Sequence, residues 1–194
     1  MLDAPGRQSY VQDGPFLQNS VHMAKLPILI APDRRLKTRC SPVASVDERV
    51  RQLMDDMLET MYDAPGIGLA APQVGVTERV IVVDVAREGD PPSPIQMANP
   101  EIVWSSDETV VMNEGCLSLP DIYVDVERPE KVAVRWVDRD NAVRELEADE
   151  LLARCLQHEI DHLNGVIHID YLSSIKRNMI LRKLEKQRKL AAAG

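Results

Sequence analysis

Apolar and polar positions follow two distinct periods along this chain. Val50, Leu53, Met54, Met57, Leu58 and Met61 recur at helical spacing, which predicts an amphipathic helix over roughly residues 46–62. Ser45-x-x-Glu48 gives it a capping-box start and Ala64-Pro65-Gly66 stops it. The methionines of that stripe read as core, since their flexible thioethers fill irregular gaps. The continuous run Val80-Ile81-Val82-Val83 reads as a buried strand, and Pro91, Pro92 and Pro94 mark a loop. Strands are expected at 95–104 and 109–112. Val132, Val134 and Trp136 alternate with Ala133, Arg135 and Val137, a strand with one well-buried face, and Asn141 lies in the turn to a strand over 143–146. A helix follows from about Asp149 to His162, with acids in its first turn and Asn164-Gly165 at its end. A short strand near 167–169 and a last helix over 173–190 complete the pattern. The order and lengths imply an α+β fold: one domain of antiparallel or mixed strands packed around the helix of residues 149–162, with an N-terminal and a C-terminal helix.

Composition narrows this only a little. The chain has 194 residues, enough for one domain with a real core and short for two. At 44% hydrophobic and 28% charged it is of the soluble globular class, and no apolar run approaches a membrane span. A formal net charge of −8 argues against a general DNA or RNA binder. Three cysteines do not make a disulfide framework and fit a reducing, cytoplasmic compartment in which a thiol stays free for a metal. Residues 1–22 are rich in Gln, Asn, Gly and Pro, lack periodicity, and read as a leader or disordered extension; residues 23–194 form the catalytic domain.

Chemistry concentrates on the predicted helix 149–162. His158-Glu159-x-x-His162 places two imidazoles one turn apart on one face, where both reach a single divalent cation. Glu159 sits beside the first of them, where its carboxylate can take a proton from an activated water. Leu151 and Cys155 extend the histidine face and give it an apolar setting. A catalytic site needs a third protein ligand, and two residues offer it. His168 completes the spacing His158-Glu159-x-x-His162-x-x-Gly165-x-x-His168, the pattern of metzincin proteases. Metzincins also need a methionine turn beyond the third histidine. The only later methionine, Met179, falls inside a basic helical stretch. The other candidate is Cys116 in Glu114-Gly115-Cys116-Leu117-Ser118. A third segment, Gly66-Ile67-Gly68-Leu69-Ala70-Ala71-Pro72-Gln73, leaves open backbone and ends on a lone amide.

Taken together, the Gly-x-Gly-Leu-Ala-Ala-x-Gln, Glu-Gly-Cys-Leu-Ser and Gln-His-Glu-x-Asp-His segments, in this order, resemble peptide deformylase over essentially residues 23–190. The resemblance implies hydrolysis of the formyl group from N-formylmethionyl ends of nascent polypeptides, with release of formate. It makes Cys116, His158 and His162 the metal ligands, with a water as fourth, and Glu159 the general base and acid. It makes the Gln73 side-chain amide and the Leu117 backbone N–H the donors to the developing oxyanion. It implies ferrous iron as the resident metal, with nickel, cobalt or zinc in preparations. Substrate backbone is expected to pass Gly68 and Gly115, and Ile67, Leu151 and Cys155 are expected to line the methionine pocket. His168 then becomes a structural histidine, and Asp161 is free to pair with Arg128. Some deformylases carry an arginine beyond the cysteine motif that contacts the peptide. Here Leu119-Pro120-Asp121-Ile122-Tyr123 offers Tyr123 instead.

The last predicted helix bears Lys176, Arg177, Arg182, Lys183, Lys186, Arg188 and Lys189 against Glu185, with Ile175, Met179, Ile180 and Leu184 as its apolar side. In bacterial deformylases a C-terminal helix docks on the ribosome, which makes the ribosome an expected partner. The competing readings are a small metzincin-like protease using His168 and a catalytically dead relative that binds ribosomes.

Overall fold

The polar-free run Val80–Val83 has both faces buried, and the architecture follows from that. The structure is a computed structural model that describes residues 24–87 and 89–191; the leader expected over residues 1–22 lies outside them. In chain order the elements are a 3-10 turn Arg34–Lys37, α1 (Glu48–Asp63), β1 (Gly68–Ala70), a 3-10 turn Ala71–Val74, β2 (Val80–Val83), β3 (Ile95–Ser105), β4 (Thr109–Cys116), β5 (Leu119–Pro129), β6 (Val132–Val137), β7 (Val143–Ala148), α2 (Glu150–Leu163), a 3-10 turn His168–Tyr171 and α3 (Ser174–Ala191). One sheet runs β1-β2-β3-β6-β7 and a second is the hairpin β4-β5. Every strand pair is antiparallel.

Val80 and Val82 pack with Val50, Met54, Met57 and Met61 of α1, while Ile81 and Val83 pack with Ala153, Leu156, Ile160 and Leu163 of α2. A strand covered on both faces needs no polar alternation, hence the continuous run. Each such side chain contributes roughly 1.5–3 kcal/mol by leaving water. The third cluster lies beneath the hairpin, where Leu119, Val124 and Val126 meet Leu36, Ile167, Ile169 and Leu184 of α3. These layers enclose α2 from both sides and bury most of its second half. Among the described residues no helix is long and apolar enough to cross a membrane.

Four local expectations differ from the structure. Helix α1 is capped by Asp47, whose carboxylate accepts from Val50 N at 3.0 Å, and not by Ser45. Asn141, in the left-handed region at φ 61°, bonds both backbone groups of Val46, which fixes where the chain enters α1. The short strand expected at 167–169 is instead the 3-10 turn His168–Tyr171, closed by Asp170 accepting from Ile167 N at 2.8 Å. Strand β5 was not anticipated. It alternates inward Val124, Val126 and Arg128 with outward residues, and its buried arginine and flanking Pro120 and Pro129 hide the pattern. Finally, the apolar side of α3 is narrower than expected: Ile180 and Leu184 pack inward, whereas Ile175 and Met179 are exposed.

Candidate functional site

Three segments distant in sequence close on one cavity of about 570 Å³. Strand β1 contributes Gly68 and the preceding Ile67, the hairpin contributes Gly115, Cys116, Leu117 and Tyr123, and α2 contributes Arg154, Cys155, His158 and Glu159. The close approach of β1 to α2 requires a glycine. A Cβ at Gly68 would lie 2.8 Å from Cys155 Sγ and 2.9 Å from Glu159 Cδ. Gly115 is similarly pressed by the Tyr123 ring, whose Cε1 would stand 2.8 Å from an added Cβ.

At the base of the cavity Cys116, His158 and His162 bring one sulfur and two ring nitrogens within 4.8 Å of one another. Cys116 Sγ lies 3.2 Å from His162 Nε2. Ideal tetrahedral coordination by this donor set separates the ligand atoms by roughly 3.3–3.6 Å, so small adjustments seat an ion. His158 Nδ1 lies 2.9 Å from Glu114 Oε2. Donating its Nδ1 proton to that carboxylate leaves Nε2 with a lone pair for a cation. Burial opposes a charge on His158, but the Cys116 sulfur and the Glu114 carboxylate more than offset it and hold its imidazolium well above the ordinary range. Burial and the charge of His158 push His162 well below its ordinary value. The cluster thus offers one sulfur and two ring nitrogens to a divalent cation, with Glu114 behind His158. A soft thiol with two imidazoles suits iron or zinc rather than magnesium or calcium.

Glu159 is 4% exposed, and its Oε2 has no hydrogen-bond partner among the described residues. Burial pushes its carboxyl up to about 7, against the pull of His158. Such a group exchanges a proton near neutral pH. Gln73 is held rigidly: its Oε1 accepts from Ala70 N at 2.8 Å, which turns Nε2 toward Ser118 Oγ at 3.2 Å and Cys116 Sγ at 3.6 Å. Burial raises the Cys155 thiol well above its ordinary range, so this side chain faces the cavity uncharged.

The family model for polypeptide deformylase matches residues 25–178. This chain belongs to the polypeptide deformylase family. It is 60% identical over 169 residues to the peptide deformylase of Methylocella silvestris, an alignment covering 86% of each chain. The crystal structure of the Ehrlichia chaffeensis peptide deformylase in complex with actinonin superposes with a TM-score of 0.81 at 43% identity, covering 85% of this chain and 98% of that one. The Legionella pneumophila enzyme gives 0.80 at 47% identity, covering 88% and 99%. The fold and the enzyme class expected from the sequence are thus those of the polypeptide deformylases, a family of hydrolases.

Of the residues expected for a polypeptide deformylase, Ile67, Gly68, Gln73, Gly115, Cys116, Leu117, Cys155, His158 and Glu159 line the cavity. His162 stands behind it with no exposed surface. Leu151, expected in the methionine pocket, is half-buried on α2 one turn before Cys155 and is not part of the cavity lining. His168 is apart from the trio: its Nε2 donates to the Ile122 carbonyl at 3.2 Å, and burial pushes its imidazole down to about 4. Sequence reading gave no role to Glu114, although it stands two residues before Cys116. It also passed over Arg154, on the cavity wall beside Cys155. Arg128 carries more than the expected pairing: besides Asp161 Oδ2 at 2.8 Å it binds both Glu114 oxygens, at 2.6 and 3.0 Å. That double bond to Glu114 joins strands β5 and β4, a contact no local motif encodes.

Proposed function

We propose that this chain hydrolyses the formyl group from N-formylmethionyl ends of nascent polypeptides, releasing formate, in the cytoplasm. The observation that carries this reading is the unpartnered, buried Glu159 carboxylate beside the Cys116, His158 and His162 donors at the base of an open cavity. Those three residues would hold a divalent cation, ferrous iron as the resident ion, and when bound it supplies the Lewis acidity that makes a water nucleophilic near neutral pH. Glu159 takes the proton from the attacking water and returns it to the leaving amine nitrogen as the formyl C–N bond breaks, giving formate and a free amino terminus. The Gln73 Nε2 and the Leu117 backbone N–H donate to the oxygen that gains negative charge, and each such donor is worth on the order of 10²–10³ in rate. Gln73 is pre-aimed by its bond to Ala70, so it loses little freedom in doing so. The substrate backbone runs between Gly68 and Gly115, and Ile67 and the neutral Cys155 thiol, which line the cavity where Leu151 does not, receive the methionine side chain.

Helix α3 is assigned to docking on the ribosome. Lys176, Arg182, Lys183, Lys186 and Lys189 are exposed along it in a protein of net charge −8. The deciding experiment loads the protein anaerobically, measures bound metal, and follows formate release from a formyl-Met peptide. Stoichiometric metal with formate release is expected. Metal-loaded protein that leaves the formyl peptide intact would overturn the reading.

A further inference from the structure

A chain of contacts leaves the metal-ligand trio and ends at the protein surface. His158 Nδ1 bonds Glu114 Oε2 at 2.9 Å, and Glu114 is gripped by Arg128. The same guanidinium reaches Asp161 Oδ2 at 2.8 Å, and Tyr171 Oη donates to that same Oδ2 at 2.8 Å. Tyr171 also closes back on Arg128: its Oη stands 3.4 Å from Nη1, and the guanidinium lies 5.2 Å from its ring centroid. Glu114 and Arg128 are each 5% exposed, whereas Tyr171 is 49% exposed. Tyr171 is the last residue of the turn that Asp170 closes, so its place is set by the backbone rather than by a free loop. Burial, with Asp161 beside it, raises its hydroxyl to about 12, so it remains a donor at physiological pH.

We infer that Tyr171 is a positioning residue for the metal centre: its hydroxyl fixes Asp161, the two together fix Arg128, and Arg128 fixes the Glu114 carboxylate that sets the ring plane and tautomer of His158. This rests on the reading that Cys116, His158 and His162 hold the cation. Arg128 has five N–H donors in a rigid plane, and it stays in one orientation only if acceptors occupy both ends of that plane. Glu114 occupies one end and Asp161 the other. Asp161 lies on the last turn of α2, and its side chain is partly open to water. Without the Tyr171 hydroxyl its carboxylate exchanges Arg128 for solvent more readily. Glu114 then loses a fixed partner, and His158 loses its preset ring orientation. Partners in direct contact with a ligand typically contribute 10- to 100-fold in metal affinity. Tyr171 stands further out, so its share is smaller, about 3- to 10-fold.

The test uses the cobalt(II)-loaded full chain, with release into excess chelator followed through the thiolate-to-cobalt absorption. Tyr171→Phe, which keeps the ring over Arg128 and removes the hydroxyl, is expected to speed release by about 3- to 10-fold. Tyr171→Leu, which removes both, should release faster still, and Asp161→Asn should match or exceed Tyr171→Phe. The decisive arm places Tyr171→Phe in a Glu114→Gln background. Glu114→Gln weakens the link to His158, so the tyrosine substitution should add little there, whereas a merely structural role would add its full effect in either background. Equal release from Tyr171→Phe and the parent chain, with Glu114→Gln releasing faster, would overturn the inference and leave the metal reading standing. Failure of the parent chain to hold cobalt at all would instead bring down the metal reading, and the inference with it.

Discussion

Arg128→Met removes a buried guanidinium while roughly keeping its volume, and its cost can be worked from the structure in two ways. Glu114 and Arg128 are each 5% exposed, so the substitution strands a carboxylate that water cannot reach. Breaking a buried pair on one side typically costs about 3–5 kcal/mol. The second route is the Glu114 carboxyl. Burial would raise it, but hydrogen bonds from His158 and Arg128 and their charges more than reverse that and hold it at about 2, against an ordinary 4.5. That difference corresponds to stabilisation on the order of 3 kcal/mol, part of it owed to His158. The second figure lies at the low end of the first. Because the folded value lies below the unfolded one, this contribution is fully present above pH 4.5 and is lost as pH falls toward 2. The variant should therefore be less stable than the parent by about 3–5 kcal/mol at neutral pH, and the gap should narrow in acid. Urea unfolding monitored by circular dichroism reads this out, with the pH series run on metal-stripped protein so that loss of metal in acid does not enter. A gap under about 1 kcal/mol at neutral pH, or one that fails to narrow in acid, would refute the reasoning, because a surface-type pair is worth that little.

Four further outcomes are expected. Glu159→Ala should keep its metal and lose about 10²–10⁴ in kcat for a formyl-Met peptide, since the proton shuttle goes while the donor set stays; full turnover with full metal excludes the role. Cys116→Ala should lose metal by elemental analysis, whereas His168→Ala should keep it and lose about 1–3 kcal/mol of stability through the buried ring and its hydrogen bond to the part-buried Ile122 carbonyl. Iron-loaded protein should inactivate in air much faster than nickel-loaded protein, since a ferrous ion and its thiol are both oxidisable; equal half-lives contradict this. Neutralising Arg182, Lys183, Lys186 and Lys189 together should weaken ribosome pelleting and flatten its salt dependence, and pelleting unchanged across the salt series removes the docking role from α3.

The parts of the fold that were legible are those whose signal is periodic and local. Val80–Val83, the methionine stripe of α1 and the histidine helix each state their burial within one turn or one strand. What was missed depends on partners elsewhere. Strand β5 puts an arginine on its inward face, which contradicts a hydrophobic alternation until Glu114 and Asp161 are seen to surround it. The start of α1 was displaced from Ser45 to Asp47 because Asn141, from the far end of the sheet, takes both backbone groups of Val46. Helix α3 reads as amphipathic over its whole length, yet among the described residues Ile180, Leu181 and Leu184 of its middle are the apolar side chains that join the cluster beneath the hairpin. Its first turns project Ile175 and Met179 outward, and no periodicity distinguishes a covered stripe from an uncovered one.

The site itself shows how separately readable motifs become one constraint. His158 and His162 share a face of α2 that meets Cys116, and Glu159, one residue on, is turned about 100° around the axis toward β1. The edge strand meets that carboxylate at Gly68, where any side chain would collide with both Glu159 and Cys155. The glycine of the first motif and the acid of the third are thus a single requirement. A backbone without a Cβ lets the strand approach the helix, and that approach keeps water from solvating Glu159 and so raises its carboxyl toward neutrality. The glutamine that ends the first motif follows from the same placement. The turn after β1 carries Gln73 back under the hairpin, where its oxygen accepts from Ala70 N–H and its nitrogen is left toward the sulfur of the second motif. Each motif alone permits a turn, a buried thiol or a pair of histidines. The antiparallel sheet, the hairpin and α2 bring the three to one cavity, and there each restricts what the others can be.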